Sequence, residues 1–463
     1  MSTNTAMLLL ALLGVPAMAA AQDALTPGAG QNSGEVAEQA RLDEAEAEFD
    51  DTDEQGQIPL DESFGELSDR ERILAQRKQA LRDTAFDVQL RSFYLDREWF
   101  DGSQSEALAL GGYAGFQTGY FRKKLSIGAT AYTSQRLYGP DDKGGTGLLA
   151  PVQQGYSVIG EIYGQYLIND TFTLDFGRKG FNTAFINEAD TRMTPNTFQG
   201  AVLLGEIGDE DAPTNWRFGA AYFDKIKEKT SERFISMAAA AGAQDGVERG
   251  VYAAGAIGAH RLASGELSFG AIGYYSPDIL NIFYTEVKYT FALADSAYMQ
   301  LATQYTGQRS VGDDLLYGRP YSADQIGLKA ELSAHGAIFT ASWNGNTGDD
   351  ALLGPWGNTP SYNSVQVQDF NLPGVDSLLL RAEYQFKSVP GLSAYALWVN
   401  GSKPDNPLEA EEDEFDFNIQ WQGTRGWANG LSLRLRYALV TQQGDGGDLQ
   451  DFRLILNYDP PSL

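Results

Sequence analysis

The chain has 463 residues, no cysteine, and 62 acidic against 34 basic residues, for a formal charge of −28. The absence of thiols excludes disulfide staples, thiolate metal sites and a cysteine nucleophile, and the acidity argues against a nucleic-acid surface, which needs a basic patch. Mean hydropathy is −0.31, a value that fits a soluble protein and equally a transmembrane barrel, in which every second strand residue faces water.

Residues 1–21 read as a secretory signal peptide, with an apolar run over 7–15 and small residues Ala19 and Ala21 before Gln22. The run is shorter than the about 20 residues a spanning helix needs, and the next longest, 237–243, is only seven residues. The mature chain is therefore expected in the periplasm, the outer membrane or outside, and a helical inner-membrane protein is excluded. Residues 22–85 carry 17 acidic and 6 basic side chains. This segment reads as a mostly disordered periplasmic extension, too poor in apolar side chains to offset chain entropy. Within it, 67–82 has helix formers, an N-cap at Ser68 and Glu71 three residues later, the pattern of a short capped helix.

From residue 86 the pattern changes to period two. Leu110, Gly112, Ala114, Phe116, Thr118 and Tyr120 share one face, as do Leu125, Ile127, Ala129 and Ala131. Ile162, Gly164 and Tyr166 oppose Glu161, Tyr163 and Gln165. Phe283, Val287, Tyr289 and Phe291 oppose Tyr284, Glu286, Lys288 and Thr290, and the same alternation runs through 325–333, 378–387 and 431–439. Side chains of a strand point alternately to its two faces. About 18 such segments occupy 86–458, with a five-residue tail over 459–463. Short connections (121–124, 169–170, 263–265, 295–296, 335–336, 389–391, 426–430) alternate with long ones (137–155, 180–198, 227–248, 310–322, 345–374). This predicts an all-β fold: a closed antiparallel transmembrane barrel with short periplasmic turns and long extracellular loops. Aromatics near strand ends, among them Tyr120, Phe121, Phe172, Phe176, Phe386, Trp421 and Tyr458, fit the girdles at the two membrane interfaces. No fixed-period repeat is present, which counts against a solenoid.

The stretch GGTGLLAPVQQGYSVIGEIYGQY followed by FTLDFGRKGFNTAFINEADTRMTPNTFQGAVL, and the opening strand LRSFYLDREW, resemble the OprD-type family of substrate-specific outer-membrane porins. The resemblance spans about 86–458. It implies an 18-stranded barrel, often a monomer where a general diffusion porin is usually a trimer, whose third extracellular loop, here 180–200, folds inward and narrows the pore. The residues that match the family's loop pattern are Asp190, Arg192, Pro195, Phe198 and Gly200. It also implies uptake of small carboxylate-bearing solutes. The acidic extension and the ending after Tyr458 depart from the family pattern.

The alternation places Arg91, Lys288, Lys329, Arg381, Lys387, Arg434, Arg436 and Arg453 on the lumen face, most of them on one wall, with Glu161, Asp175, Glu286, Glu331 and Glu383 among or opposite them. Charge on the lipid face is unfavourable by about 2–4 kcal/mol at mid-membrane. Rows of Arg and Lys are how anion-preferring pores are built, and wall salt bridges are the alternative reading of the same residues. Asp190 and Arg192 could line the pore or pair to hold the loop's turn. Tyr163, Tyr284 and Tyr305 read as a sugar or aromatic path or as wall packing. The acidic stretches 349–350 and 409–414 read as solvated loops or as divalent-cation sites bridging lipopolysaccharide.

An enzyme is not expected. His260 and His335 are the only histidines and both fall at periplasmic strand ends, no Walker motif is present, and neither a metal nor another cofactor is implied. The expected partners are outer-membrane lipid and lipopolysaccharide, small carboxylates and the barrel-assembly machinery. The function expected is selective passive diffusion of small anionic solutes, and the alternatives are a general diffusion or sugar porin and a plugged or tethering barrel.

Overall fold

The computed structural model describes residues 83–463 except 209–213, 295, 403, 407–408, 444–446 and 461–463. The expected signal peptide, nearly all of the acidic extension and the helix over 67–82 lie outside the described residues. The strands are β1 (Ala85–Glu98), β2 (Gln104–Gln117), β3 (Leu125–Tyr138), β4 (Tyr156–Leu167), β5 (Phe172–Lys179), β6 (Thr197–Ile207), β7 (Thr214–Lys227), β8 (Phe234–Ser236), β9 (Val251–Leu262) and β10 (Gly265–Ser276). There follow β11 (Leu280–Ala294), β12 (Ala297–Ser310), β13 (Ser322–Ala334), β14 (Ala337–Gly348), β15 (Asp376–Gln385), β16 (Leu392–Gly401), β17 (Glu412–Gln422), β18 (Leu431–Gln442) and β19 (Leu449–Tyr458).

Each wall strand pairs antiparallel with its neighbour in sequence, and β1 pairs with β19, so the sheet closes. Closure leaves no open edge, the condition for a sheet to lie in lipid. Eighteen strands form the wall, as the strand-like segments predict. The short β8 pairs only with the end of β7, and the wall continues from β7 to β9.

Period-two patterning decides which face each residue takes. Ile127, Ile162, Phe283, Leu301, Phe339, Leu380 and Leu433 stand 42–53% exposed on the outside, an apolar area that water would not tolerate and acyl chains do. Polar residues such as Gln304, Gln325, Asn344, Asp416 and Arg436 are buried on the inside. One aromatic expectation needs correction. The Tyr120 ring turns into the barrel and its hydroxyl donates to Gln165 Oε1 at 2.6 Å, because the chain has left β2 before it. Tyr305 faces outward and donates to Asp324 at 2.7 Å, in keeping with the wall-packing reading of that residue. Lys387, expected on the lumen face, is exposed in the short turn after β15.

The lumen is filled unevenly. Behind β6 to β13, Phe185, Ile186, Met237, Tyr274, Tyr284 and Trp356 form one buried apolar cluster. The run over 237–243 supplies part of it through a one-turn helix, α1 (Met237–Ala240), capped by the Ser236 hydroxyl. A core of this kind closes that side to water.

Candidate functional site

The connection from β5 to β6 folds into the barrel. At its start Gly180 N–H donates to Glu161 Oε1 at 2.8 Å, and Glu161 also accepts from Thr130 at 2.5 Å. Phe185 then wedges edge-on between Tyr274 and Tyr284. Farther along, both oxygens of Asp190 accept from the Arg91 guanidinium at 2.7 Å, a bidentate pairing. Arg91 also donates to the Arg192 carbonyl at 2.6 Å and to Asn457 at 3.0 Å. Asp190 is therefore held by Arg91 and not by Arg192. The loop ends earlier than the expected 180–200: β6 begins at Thr197, so Phe198 and Gly200 are wall residues. Phe198 packs against Phe223, and a β-bulge falls between Gln199 and Gly200. Pro195 is the expected constriction residue that stays in the loop.

A second loop, 349–375, also enters the barrel, which the sequence did not indicate. Ile186 and Trp356 form a parallel bridge between the two loops, and Asn187 donates to the Asn358 carbonyl at 2.9 Å. Farther on, successive amides of Gln366, Val367 and Gln368 donate to Asp416 Oδ2 and to the two oxygens of Glu414 at 3.1, 2.8 and 2.7 Å. Glu414 had been expected in a solvated acidic loop. It is a fully buried lumen residue of β17.

Between these loops and the wall lies a polar cavity of about 290 Å³. Arg192, Lys229, Arg436 and Arg453 reach it, with Asp369 as the acid among its lining side chains. Arg453 donates to Asp451 at 2.6 Å and to the Gln366 carbonyl at 2.9 Å, while Arg97 takes the other oxygen of Asp451 at 2.6 Å. Arg192 donates to the Thr146 and Thr191 carbonyls, and Lys229 Nζ to the Thr191 hydroxyl. Among the described residues neither Arg192 nor Lys229 has a carboxylate partner. Enclosure, reinforced by the charge of Arg453, lowers Arg192 to about 9. Enclosure with Arg192 and Arg453 beside it lowers Lys229 to about 8. Asp369, whose carboxylate accepts from Ser364, is raised by burial. On the far side of Arg192 a second void, of about 20 Å³, meets Arg91, Arg434 and Arg436, and Arg434 donates to Asn418 at 2.9 Å.

The other expected bases lie farther round the wall and each faces an acid two residues away on its own strand. Lys288 is 3.5 Å from Glu286, Lys329 is 4.0 Å from Glu331, and Arg381 is 2.5 Å from Glu383. Arg381 also lies over the Tyr395 ring and Lys329 over Tyr362. Asp175 pairs with Lys179 at 2.5 Å. The bases therefore do not form a single wall. One set gathers at the seam of β18, β19 and β1, and the other is braced in place by carboxylates. Sequence reasoning missed Lys229, Asp369, Asp416 and Asp451. Asp416 and Glu414 carried a signal, since in EDEFDFNIQW acids alternate with Phe415 and Phe417.

The family model for outer membrane porins of the OprD family matches residues 78–461. The chain belongs to the OprD family. Porin D of Pseudomonas aeruginosa is 25% identical over 422 residues, covering 83% of this chain and 92% of its own. Among solved structures, OccK9 (OpdG) of P. aeruginosa superposes with a TM-score of 0.73 at 21% identity, covering 83% of this chain and 100% of its own. OpdK of P. aeruginosa, solved with vanillate, gives 0.71 at 18%, with the same two coverages. OccAB2 of Acinetobacter baumannii gives 0.71 at 20%, covering 84% and 100%. This OprD-family protein is an outer-membrane porin, a passive channel and not an enzyme.

Proposed function

We propose that this porin passes small anionic solutes, carboxylates and amino acids among them, into the periplasm. The observation that carries the reading is the pair Arg192 and Lys229, two cations facing one polar cavity with hydroxyl and carbonyl partners in place of carboxylates. In a confined lumen such charges raise the local anion concentration, and Arg recognises carboxylates bidentately. Arg436 and Arg453 complete the first binding position, and Arg434 and Arg91 lie on the next step toward the periplasm. Lys288, Lys329 and Arg381, neutralised by neighbouring acids, brace the wall. The solved relative OpdK was crystallised with vanillate, an aromatic carboxylate, which agrees with this substrate class.

The test is the reversal potential of the purified channel in a planar bilayer under a KCl gradient. The expected result is anion preference that declines in Arg192→Ala and Lys229→Ala and block by small carboxylates. Cation preference would mean that Asp369 and the acids beyond it govern the path. A second reading, a barrel closed at rest, draws on the two loops that fold into the lumen and bridge at Ile186 and Trp356. Absence of conductance at any voltage would favour it.

A further inference from the structure

The turn joining β2 to β3 runs against ordinary backbone preference. Lys124 N–H donates to the Phe121 carbonyl at 3.0 Å, and the two residues between, Arg122 and Lys123, have φ of 51° and 60°. Two-residue hairpins of this type favour Asn-Gly, because a Cβ is unfavourable at positive φ. Here the positions hold two long cations, followed by a third in Lys124, all exposed at the periplasmic rim. Lys124 Nζ is occupied by the Ile168 carbonyl at 2.6 Å. Among the described residues Arg122 and Lys123 have no ion pair and no side-chain hydrogen bond.

The same edge of the barrel receives the N-terminal chain, since Ala85 pairs with Gln117, seven positions before Lys124 and on the strand that leads into the turn. Upstream, residues 34–54 hold ten acidic side chains and one Arg. We propose that the Arg122–Lys123 turn is a docking site for the acidic segment 34–54 of the same chain. The intervening 55–82 is long enough to reach the turn: the helix expected from the sequence over 67–82 would span about 24 Å, and the residues over 55–66 add up to about 40 Å when extended. Single exposed ion pairs are weak, but ten carboxylates share two cations here, so one pair or another is always within reach. Docking at the rim also keeps a carboxylate-rich segment out of the basic lumen, where it would compete with an anionic solute. This consequence depends on the proposed anion path, whereas the docking itself does not.

The experiment is zero-length carboxyl-to-amine cross-linking of the full chain, mapped by mass spectrometry on the monomer band. Lys123 should link to Glu and Asp residues of 34–54. The yield should fall several-fold in about 1 M salt, where the screening length is only about 3 Å, and in Arg122→Asn. Lys387, exposed in a periplasmic turn six strand positions round the barrel, serves as the internal control. Equal yields at Lys387 and Lys123, or links found only between chains, would overturn the proposal. Loss of the Lys123 links in vesicles containing phosphatidylglycerol would overturn it too, and would assign the turn to anionic lipid headgroups.

Discussion

Arg91 and Asp190 meet through two parallel hydrogen bonds of 2.7 Å that tie the inward loop to the first strand. The Arg91 side chain is 8% exposed and that of Asp190 36%, so the pair is partly dry and asymmetric. Charge-assisted bonds of this kind contribute about 1.5–3 kcal/mol, and they add to the Arg192–Thr146 and Lys229–Thr191 contacts of the same segment.

Arg91→Ala should therefore release the 190–192 segment while leaving the barrel folded. An anchoring loss of about 1.5–3 kcal/mol corresponds to an increase of about 10- to 100-fold in the population of the displaced loop. Single-channel recordings should show added open-channel noise and larger conductance substates. A trace indistinguishable from wild type would mean that the Phe185 wedge, the Asn187–Asn358 bond and the contacts of Arg192 and Lys229 fix the loop without it.

Anion preference should depend on pH through one of the two cations of the cavity. Lys229 is lowered to about 8 by enclosure and by the guanidinium groups of Arg192 and Arg453, whereas the Arg192 guanidinium stays charged throughout. A base with a lowered value is fully charged below it and loses its proton as the pH rises through it. Anion preference should accordingly be constant below about pH 7 and decline through 8 to a plateau set by the arginines. Lys229→Met should remove that step. Reversal potentials measured across that range check this, and a flat profile would show that Lys229 does not govern the path.

The outer surface gives a prediction of its own. Leu380 lies in the middle of β15, 49% exposed and paired with Ala341 and Trp398. Leu380→Arg should destabilise the barrel in vesicles by about 2–4 kcal/mol, the cost of a charge at mid-membrane. Gln300→Arg, half-buried on the lumen face and opposite Glu331, should cost far less. Denaturant titration of folding in vesicles distinguishes the two.

Wall strands were legible because lipid outside and water inside impose opposite demands on alternate residues, so Phe283 and Glu286 declare their faces without any knowledge of the fold. Loops carry no such constraint. The loop bounds 180–200 came from the family resemblance and not from alternation, and β6 begins inside them at Thr197, so Phe198 and Gly200 belong to the wall. The second inward loop was illegible for a different reason. Its contacts are made by the backbone amides of Gln366, Val367 and Gln368, and an amide looks the same in every residue. Only the other partner was readable, as the acids of β17 that alternate with Phe415 and Phe417. Lys229 was missed because its position depends on where a long loop folds and not on its neighbours in sequence.

Glu414 offers the sharpest test of how that second loop is held. The side chain is fully buried and spends both oxygens on the amides of Val367 and Gln368, while Asp416 takes Gln366 from the same face of the strand. Glu414→Gln keeps the shape but replaces one acceptor with an NH2 group that faces a backbone N–H. A buried donor left unsatisfied is unfavourable by about 1–3 kcal/mol. The wall should be indifferent, since β17 keeps its ladder to β16 and β18. Hydrogen exchange should therefore accelerate about 5- to 100-fold at the amides of 366–368 and stay unchanged along β17. Conductance should become noisier in parallel if the loop borders the path. Faster exchange with unaltered conductance would detach the loop from gating, and unaltered exchange would show that Asp416 and the Arg453 contact to Gln366 suffice to hold it.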